Sequence, residues 1–590
     1  MLLTRQQLND KIWGAADLLR GSLDSSDFKN HILSLLFLKR LSDVFEERHA
    51  AIIEDWISQG KSREEAEEIA NDPDEYGDGA YFLPPSARWP HLLKVAENRA
   101  EAIDKALVAA EDANSRYLEG VLATVRFNDV RRFGEASEMD GLMQRLLHHF
   151  SEIPLGNKNL LEPDVLGNAY EFLIERFAET AGKKGGEFYT PRGVVRLLVE
   201  ILDPQEGMRI NDPTCGSGGM IIECGHHIAE RGGDPRNLTL TGQEKNYGTW
   251  AICRLNMLLH GLPDADIRAG DTIRSPKFVT EGALDSFDRV IANPPFSLKE
   301  WGHDIAEGDP YARFTPGVPP RTKGDMAFLL HMLEIAKPAK GMVGVVLPHG
   351  VLFRGAAEGK IRQHLLEQDL VEAVIGLPAQ LFFGTGIPAA LLICNWNKPA
   401  ARKGKVLFID ASTDGLYREG KSRNFLDPRD LLRITALFHG YGDPKKVPAS
   451  AKKTAQIWAT DLTRQRDKQL ARAAKDDPAL ATLITEDFQK RETEITQAQK
   501  DLQTWFPQEH RAIGGGTRTS LEKHTAIVSL DEIAKEHRHN LNITRYVDAA
   551  EPPEQLDVAT ELKKLRDLEQ QRDKAEAEMN ELLKEFGYGK

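Results

Sequence analysis

Cysteine is scarce in this chain of 590 residues: there are four, Cys215, Cys224, Cys253 and Cys394, with no CxxC and no Cys/His spacing of a zinc site. That excludes a disulfide framework and points to a reducing compartment, the cytoplasm. An uninterrupted apolar span is also missing. The stretch 373–397 lacks Asp, Glu, Lys and Arg and is long enough for a membrane helix. Gly376, Pro378, Gly384, Gly386 and Pro388 nevertheless cut it into AVIGL and AALLIC, the size of buried strands. The N-terminal MLLTRQQLNDKIWGAADLL mixes charges into its apolar positions and offers no signal-peptide core. An excess of positive charge is absent too: 76 Lys and Arg face 90 Asp and Glu, a net charge of −14. Residues 1–150 alone hold 18 against 27. Nonspecific DNA affinity comes from cations neutralising phosphates, so a chain with this balance does not coat duplex DNA unaided.

What is present is globular: 41% hydrophobic and 28% charged residues, over a length that calls for several domains. Residues 1–160 read as a helical N-terminal domain, with apolar positions such as Ile32, Leu35, Leu36, Leu38 and Leu41 at helical spacing. A further amphipathic helix spans about 166–177. It is followed by the break AGKKGGEFYTP, which ends in a helix start with Thr190 as N-cap and Pro191 at the first helical position. From Met208 short apolar runs alternate with turns and helices, the pattern of an α/β domain with a mostly parallel sheet. Strands are expected near 208–211, 238–241, 266–269, 288–292, 342–347, 371–375 and 390–394, in a catalytic domain covering 161–400. Residues 301–323, with four prolines, read as a long mobile loop. Residues 401–550 read as mixed and mostly helical, with a break at Gly514-Gly515-Gly516. Within 551–590 a charged helix carries Val558, Leu562, Leu565, Met579, Leu583 and Phe586 at heptad spacing, a candidate coiled coil for partner docking.

In an open parallel sheet the ligand lies beyond the carboxyl ends of the strands. The first strand ends in Asp212-Pro213-Thr214-Cys215-Gly216-Ser217-Gly218-Gly219, the second in Glu244, the third in Asp271 and the fourth in Asn293-Pro294-Pro295-Phe296. The glycine turn is GxGG rather than GxGxxG and carries no GK[ST] of its own, which weakens dinucleotide and P-loop readings of it. Glu244 suits paired ribose hydroxyls, Asp212 a ligand ammonium, and Asp271 an exocyclic amine or water. The Asn-Pro-Pro-Phe turn decides among these. Its prolines fix the backbone, so the Asn293 side-chain oxygen and the Pro294 carbonyl can both accept from a planar amine, while Phe296 offers a stacking face. An aryl amine is a poor nucleophile. Two acceptors on its hydrogens favour a pyramidal nitrogen able to attack an electrophilic methyl, on a base flipped from its duplex. His349 reads as a loop histidine rather than a base, and Cys215 as a small buried side chain.

These motifs resemble the S-adenosylmethionine-dependent DNA methyltransferases that act on adenine N6, and within them the modification subunit of type I restriction–modification systems. GEFYTP at 186–191, DPTCGSGG at 212–219 and NPPF at 293–296 come in the family's order. VGVVLPHGVLF, FGTGIPAALLI, the helical start WGAADLLRGSLDSSDFKNHILSLLFLKRLSD and NLNITRYVD are similar as well. The resemblance implies a Rossmann-like methyltransferase domain between a helical N-terminal domain and a helical tail. It implies S-adenosylmethionine held by Glu187, Phe188, Tyr189, Thr190, Pro191, Arg192, Asp212, Gly216, Ser217, Gly218, Gly219, Glu244 and Asp271. Adenine would be gripped by Asn293, Pro294, Pro295 and Phe296. Two copies of the chain would join one DNA-specificity subunit, with a restriction subunit added. A catalytically silent scaffold, and methylation of an RNA base or a protein glutamine, are the competing readings.

Overall fold

The computed structural model describes residues 2, 4–19, 25–77, 80–161, 164–180, 189–383, 386–413, 415–473, 478–511, 517–548 and 558–585. Nine strands form its main sheet, numbered here in chain order: β1 Arg209–Asp212, β2 Thr239–Glu244, β3 Asp266–Ala269, β4 Arg289–Ala292, β5 Met342–Pro348, β6 Val371–Gly376, β7 Ala389–Asn395, β8 Lys405–Asp410 and β9 Thr525–Ser529. Their spatial order is β9-β8-β6-β7-β5-β4-β1-β2-β3. The run β3-β2-β1-β4-β5 is parallel throughout. β7 lies antiparallel between β5 and β6, and β9 antiparallel along the outer edge of β8.

The seven expected strands all form, including the two that divide the uncharged 373–397 stretch. β6 and β7 are buried along their whole length, which explains why they carry unbroken apolar runs rather than alternation. The sheet does not fade at residue 400, however. β8 joins it with Val406, Leu407, Phe408 and Ile409 fully buried. β9 closes the edge far downstream. The sequence hides β9 because an edge strand needs few apolar residues, and its Ile527 is exposed.

Helices cover the sheet and extend from it. Those used below are α1 Arg5–Leu19, α2 Ser25–Ser58, α3 Asp164–Thr180, α4 Arg192–Leu202, α5 Gly219–Glu230, α6 Tyr247–Leu259, α7 Asp325–Glu334, α8 Ala356–Glu367, α9 Pro428–Gly440, α10 Lys446–Ala473, α11 Pro478–Trp505 and α12 Val558–Glu585. α1 and α2 pack against α3, the helix that leads into the sheet. Arg254 on α6 donates to the Tyr117 carbonyl at 2.8 Å, tying the N-terminal helices to the sheet layer.

Two expectations are corrected. α4 is capped by Pro191, not Thr190; the Thr190 hydroxyl is engaged elsewhere, as described below. The 301–323 segment is packed rather than free: Trp301 is 1% exposed and donates its indole N–H to the Pro320 carbonyl at 3.0 Å. Arg313, also buried, donates to the carbonyls of Thr272 (3.2 Å) and Ile273 (2.7 Å) and pairs with Asp309 at 2.6 Å. The Gly514–Gly516 break lies outside the described residues. α12 forms as expected, and its described side chains from residue 562 to residue 584 are all exposed.

Candidate active site

β1 and β4 are neighbours from which the chain winds in opposite directions, β1 toward β2 and β3, β4 toward β5. Such a switch point opens a crevice at the carboxyl ends of the two strands. β1 delivers Asp212 there and β4 delivers Asn293.

The loop after β1 is shaped by its carboxylates and glycines. Asp212, 2% exposed, accepts the Thr214 N–H at 3.0 Å. Gly216 and Gly218 hold φ of +53° and +84°, a region ordinary side chains adopt only rarely. Gly218 also caps α5, and a Cβ there would strike Cys253 and Met257. Glu244, at the end of β2, accepts from Gly216 N–H at 3.1 Å and Asn246 N–H at 2.7 Å, so it fastens the glycine loop to the second strand. Burial pushes the Asp212 carboxyl up to about 8, with the nearby Glu244 charge adding to it against the Thr214 hydrogen bond. Burial also raises Glu244. Among the described residues no cation lies within ion-pairing distance of Asp212.

Across the crevice Asn293 donates its Nδ2 to Thr190 Oγ1 at 3.0 Å, while its Oδ1 is buried with no hydrogen-bond partner among the described residues. Thr214 Oγ1 is likewise buried and unpaired among the described residues. Unsatisfied buried acceptors are rare because each forfeits its hydration, so two around one space mark a place shaped for a polar ligand. That space is a cavity of about 470 Å³, within the usual range for a small-molecule site.

The cavity brings together Tyr189, Thr190, Arg192, Asp212, Gly216, Ser217, Gly219 and Asn293. Cys215 contributes as a buried side chain, its Sγ 3.8 Å from that of Cys253. The other expected residues stand apart from its walls. Pro191 is the helix cap, Gly218 faces α6, and Glu244 acts through the loop. Asp271 is spent locally, with Oδ1 accepting from Ile273 and Arg274 N–H at 3.0 Å each and Oδ2 2.8 Å from Lys245. Pro294 and Pro295 form the turn, and Phe296 packs edge-on to Phe382 with ring centroids 6.0 Å apart. Glu187 and Phe188 lie outside the described residues. His349 shares a 3.0 Å hydrogen bond with the Ala389 carbonyl, a loop role.

Residues 161–478 match the family described as N-6 DNA Methylase, and residues 8–150 match the HsdM N-terminal domain. The chain belongs to the N-6 DNA methylase family. It is 31% identical over 446 residues to the type I restriction enzyme MjaIX methylase subunit of Methanocaldococcus jannaschii, covering 73% of this chain and 77% of that one. It is 31% identical over 457 residues to the HindI methylase subunit of Haemophilus influenzae, covering 71% of this chain and 99% of the relative. Among solved structures, the type I restriction-modification methyltransferase subunit from Streptococcus thermophilus superposes with a TM-score of 0.66 at 25% identity, covering 92% of this chain and all of that one. The methylase thus has the S-adenosylmethionine-dependent methyltransferase fold, flanked by helical N- and C-terminal regions.

Sequence reasoning missed part of the methylase cavity wall. Asn168 and Glu171 of α3 line it, as do Leu426 and Pro428 just before and within α9. Arg192 is engaged by that wall, 3.3 Å from Glu171 and 3.8 Å from Glu175. Glu175 also pairs with Arg423, whose guanidinium lies 4.0 Å from the Phe383 ring centroid. The signal available was the pair of acidic residues at 171 and 175, one helical turn apart on an amphipathic helix; which cations they meet is a tertiary fact.

Proposed function

We propose that this methylase binds S-adenosylmethionine in the 470 Å³ cavity and presents the adenine amine to it from the Asn293 side. The methylase transfers a methyl group to adenine N6 in DNA, as a type I restriction enzyme methylase subunit. The observation that carries the site reading is the pairing at Asn293: its Nδ2 is committed to Thr190, which leaves Oδ1 buried, oriented and unpaired.

The residues present fit the cofactor. A Cβ at Gly219 would meet only Glu171 Oε1 at 3.9 Å, so the backbone is open for close approach at the start of α5. Asp212 is a buried acid awaiting a cation, and it would hold the cofactor's ammonium. Glu244, set back from the cavity with both oxygens engaged by the loop, would hold the glycine loop in shape for the cofactor. When bound, S-adenosylmethionine supplies an electrophilic methyl on a sulfonium.

The protein's own residues act on the amine. Asn293 Oδ1 and the Pro294 carbonyl accept its two hydrogens, draw its lone pair out of conjugation and aim it into the cavity. Phe296, braced by Phe382, stacks on the base. No strong base is required, because the proton leaves after the nitrogen has gained its methyl. The decisive experiment is radiolabelled methyl transfer by Asn293→Ala in complex with a DNA-specificity subunit. Loss of transfer with cofactor affinity retained is expected; normal transfer sinks the reading.

Recognition of DNA sequence is assigned to partners. The net charge of −14 supplies little phosphate attraction. α12 leaves Leu562, Leu565, Leu568, Met579, Leu582 and Leu583 exposed, an apolar set that gains burial against a partner helix. The assembly is two copies of this chain on one specificity subunit, joined by a restriction subunit. Deleting 558–590 should release the specificity subunit while cofactor binding persists; co-purification at full stoichiometry would move docking elsewhere.

A further inference from the structure

The turn that follows β4 must hold Asn293 and Phe296 still, yet it leaves the sheet and contains a backbone outlier. Ser297, immediately after Phe296, has φ +52°, a conformation non-glycine residues avoid. Its N–H donates to Asp325 Oδ1 at 2.7 Å. One residue on, the Leu298 carbonyl accepts from Gly324 N–H at 3.0 Å. The outgoing end of the turn, just past Phe296, is therefore gripped at two successive residues by the start of α7 and its cap Gly324.

Asp325 is 1% exposed and does not reach the cavity. Its second oxygen accepts from Arg354 Nη2 at 3.0 Å, and Arg354 also grips Glu358 on α8, through Nε at 2.5 Å and Nη2 at 2.8 Å. Arg354 lies against the loop after β5: a Cβ at Gly350 would strike its Nη1. One arginine thus bridges the two loops at the carboxyl ends of β4 and β5 through two buried carboxylates. Burying the two carboxylates against a partly exposed arginine is costly unless the geometry they impose is used.

We propose that the Asp325–Arg354–Glu358 relay is a positioning device that sets the Asn293–Phe296 turn at the distance methyl transfer requires. The relay rests on the reading of that turn as the adenine grip. Asp325 is not a base for the amine, since both its oxygens are engaged and covered. It acts through Ser297.

The test compares Asp325→Ala, Asp325→Asn, Arg354→Ala and the Asp325→Ala/Arg354→Ala double variant, each in the full complex with its specificity subunit on target duplex. Misplacing reacting groups by about 1 Å costs on the order of 100-fold, so D325A should lose about that much kcat while cofactor affinity holds. D325N keeps an acceptor for the Ser297 N–H but sets an amide against Arg354, so it should fall between D325A and the unaltered chain. Because the residues act as one unit, the double variant should be no slower than the slower single variant. A 2-aminopurine at the target position should still report a flipped base in D325A. Normal kcat in D325A beside an inactive N293A overturns the relay and spares the grip; normal kcat in N293A overturns both. A joint fall of cofactor affinity and Tm in D325A and D325N reduces Asp325 to a stability role. Should D325A fail to fold, unchanged kcat in D325N and Glu358→Gln overturns the proposal.

Discussion

Glu200 and Asp212 are carboxylates of nearly equal burial, 1% and 2% exposed, one on α4 and one at the end of β1. Their surroundings are opposite. Glu200 pairs with Arg196 and Arg231 at 2.8 Å each and accepts the Trp458 indole N–H from α10 at 3.1 Å. Burial works against its charge, but nearby His227 and the two arginines outweigh it and hold the carboxyl well below the usual range. Asp212 has a backbone N–H from Thr214 and a second acid nearby, and it is pushed up to about 8. The fold therefore satisfies a buried acid completely where the acid joins helices. Beside the cavity it leaves one wanting a cation. A buried charge that the protein does not neutralise marks where a ligand belongs.

The largest effect that sharpens this contrast is on chemistry. Asn293→Ala removes the other unsatisfied group, and turnover should fall about 1,000-fold or more, as loss of a preorganised polar contact at a reacting atom does. Cofactor affinity measured by calorimetry should stay within about twofold, since the acceptor faces the amine rather than the cofactor. Next comes Glu200→Ala, which takes the acceptor from the buried Trp458 indole and the main partner from Arg231, while Arg196 keeps Glu223 and Glu230, and should cost about 3 kcal/mol of stability by denaturant titration. An unchanged midpoint would erase the distinction between the two acids.

Asp212→Asn should do the reverse. For an acid whose folded pKa lies above its unfolded one, the empty native state loses stability as pH rises from about 4 through 8. Removing that charge should raise the Tm of the empty protein at pH 8 by about 2–4 °C. The same change should weaken cofactor binding by about 1–3 kcal/mol, since the ammonium loses its partner. A lower Tm together with unchanged affinity would refute the assignment. The smallest effect is in the pH profile. In the unaltered protein, cofactor affinity should climb by at most about tenfold per pH unit below 8 and level off above it, because only ionised Asp212 pairs with a cation. A profile that is flat between pH 6 and 8 would break the comparison.

The catalytic half was legible because each of its strands is a compact apolar run ending in a polar turn, and the ligand edge follows from strand direction. Asp212, the glycine loop and Asn293 were found that way. Residues that reach the site from elsewhere were not. Asn168 and Glu171 belong to a helix that reads as packing, and β9 is too polar and too distant to be tied to β8. Thr190 was given a helix-capping role because its position before Pro191 fits one, whereas the structure spends its hydroxyl on Asn293. Asp325 gives no signal in the sequence, since a lone acid at a helix start has an ordinary local explanation.

The late arrival of β9 has a consequence for how the protein is made. β8 emerges about 115 residues before the strand that covers its free edge. At about 5–20 residues per second, synthesis leaves that edge bare for roughly 6–23 s. Throughout that interval Val406, Leu407, Phe408 and Ile409 belong to a strand whose outer hydrogen-bonding groups are open to any extended segment nearby. A nascent chain stalled before residue 525 should consequently recruit chaperones or aggregate, and a short peptide copying 525–529 is the natural reagent to quench that edge.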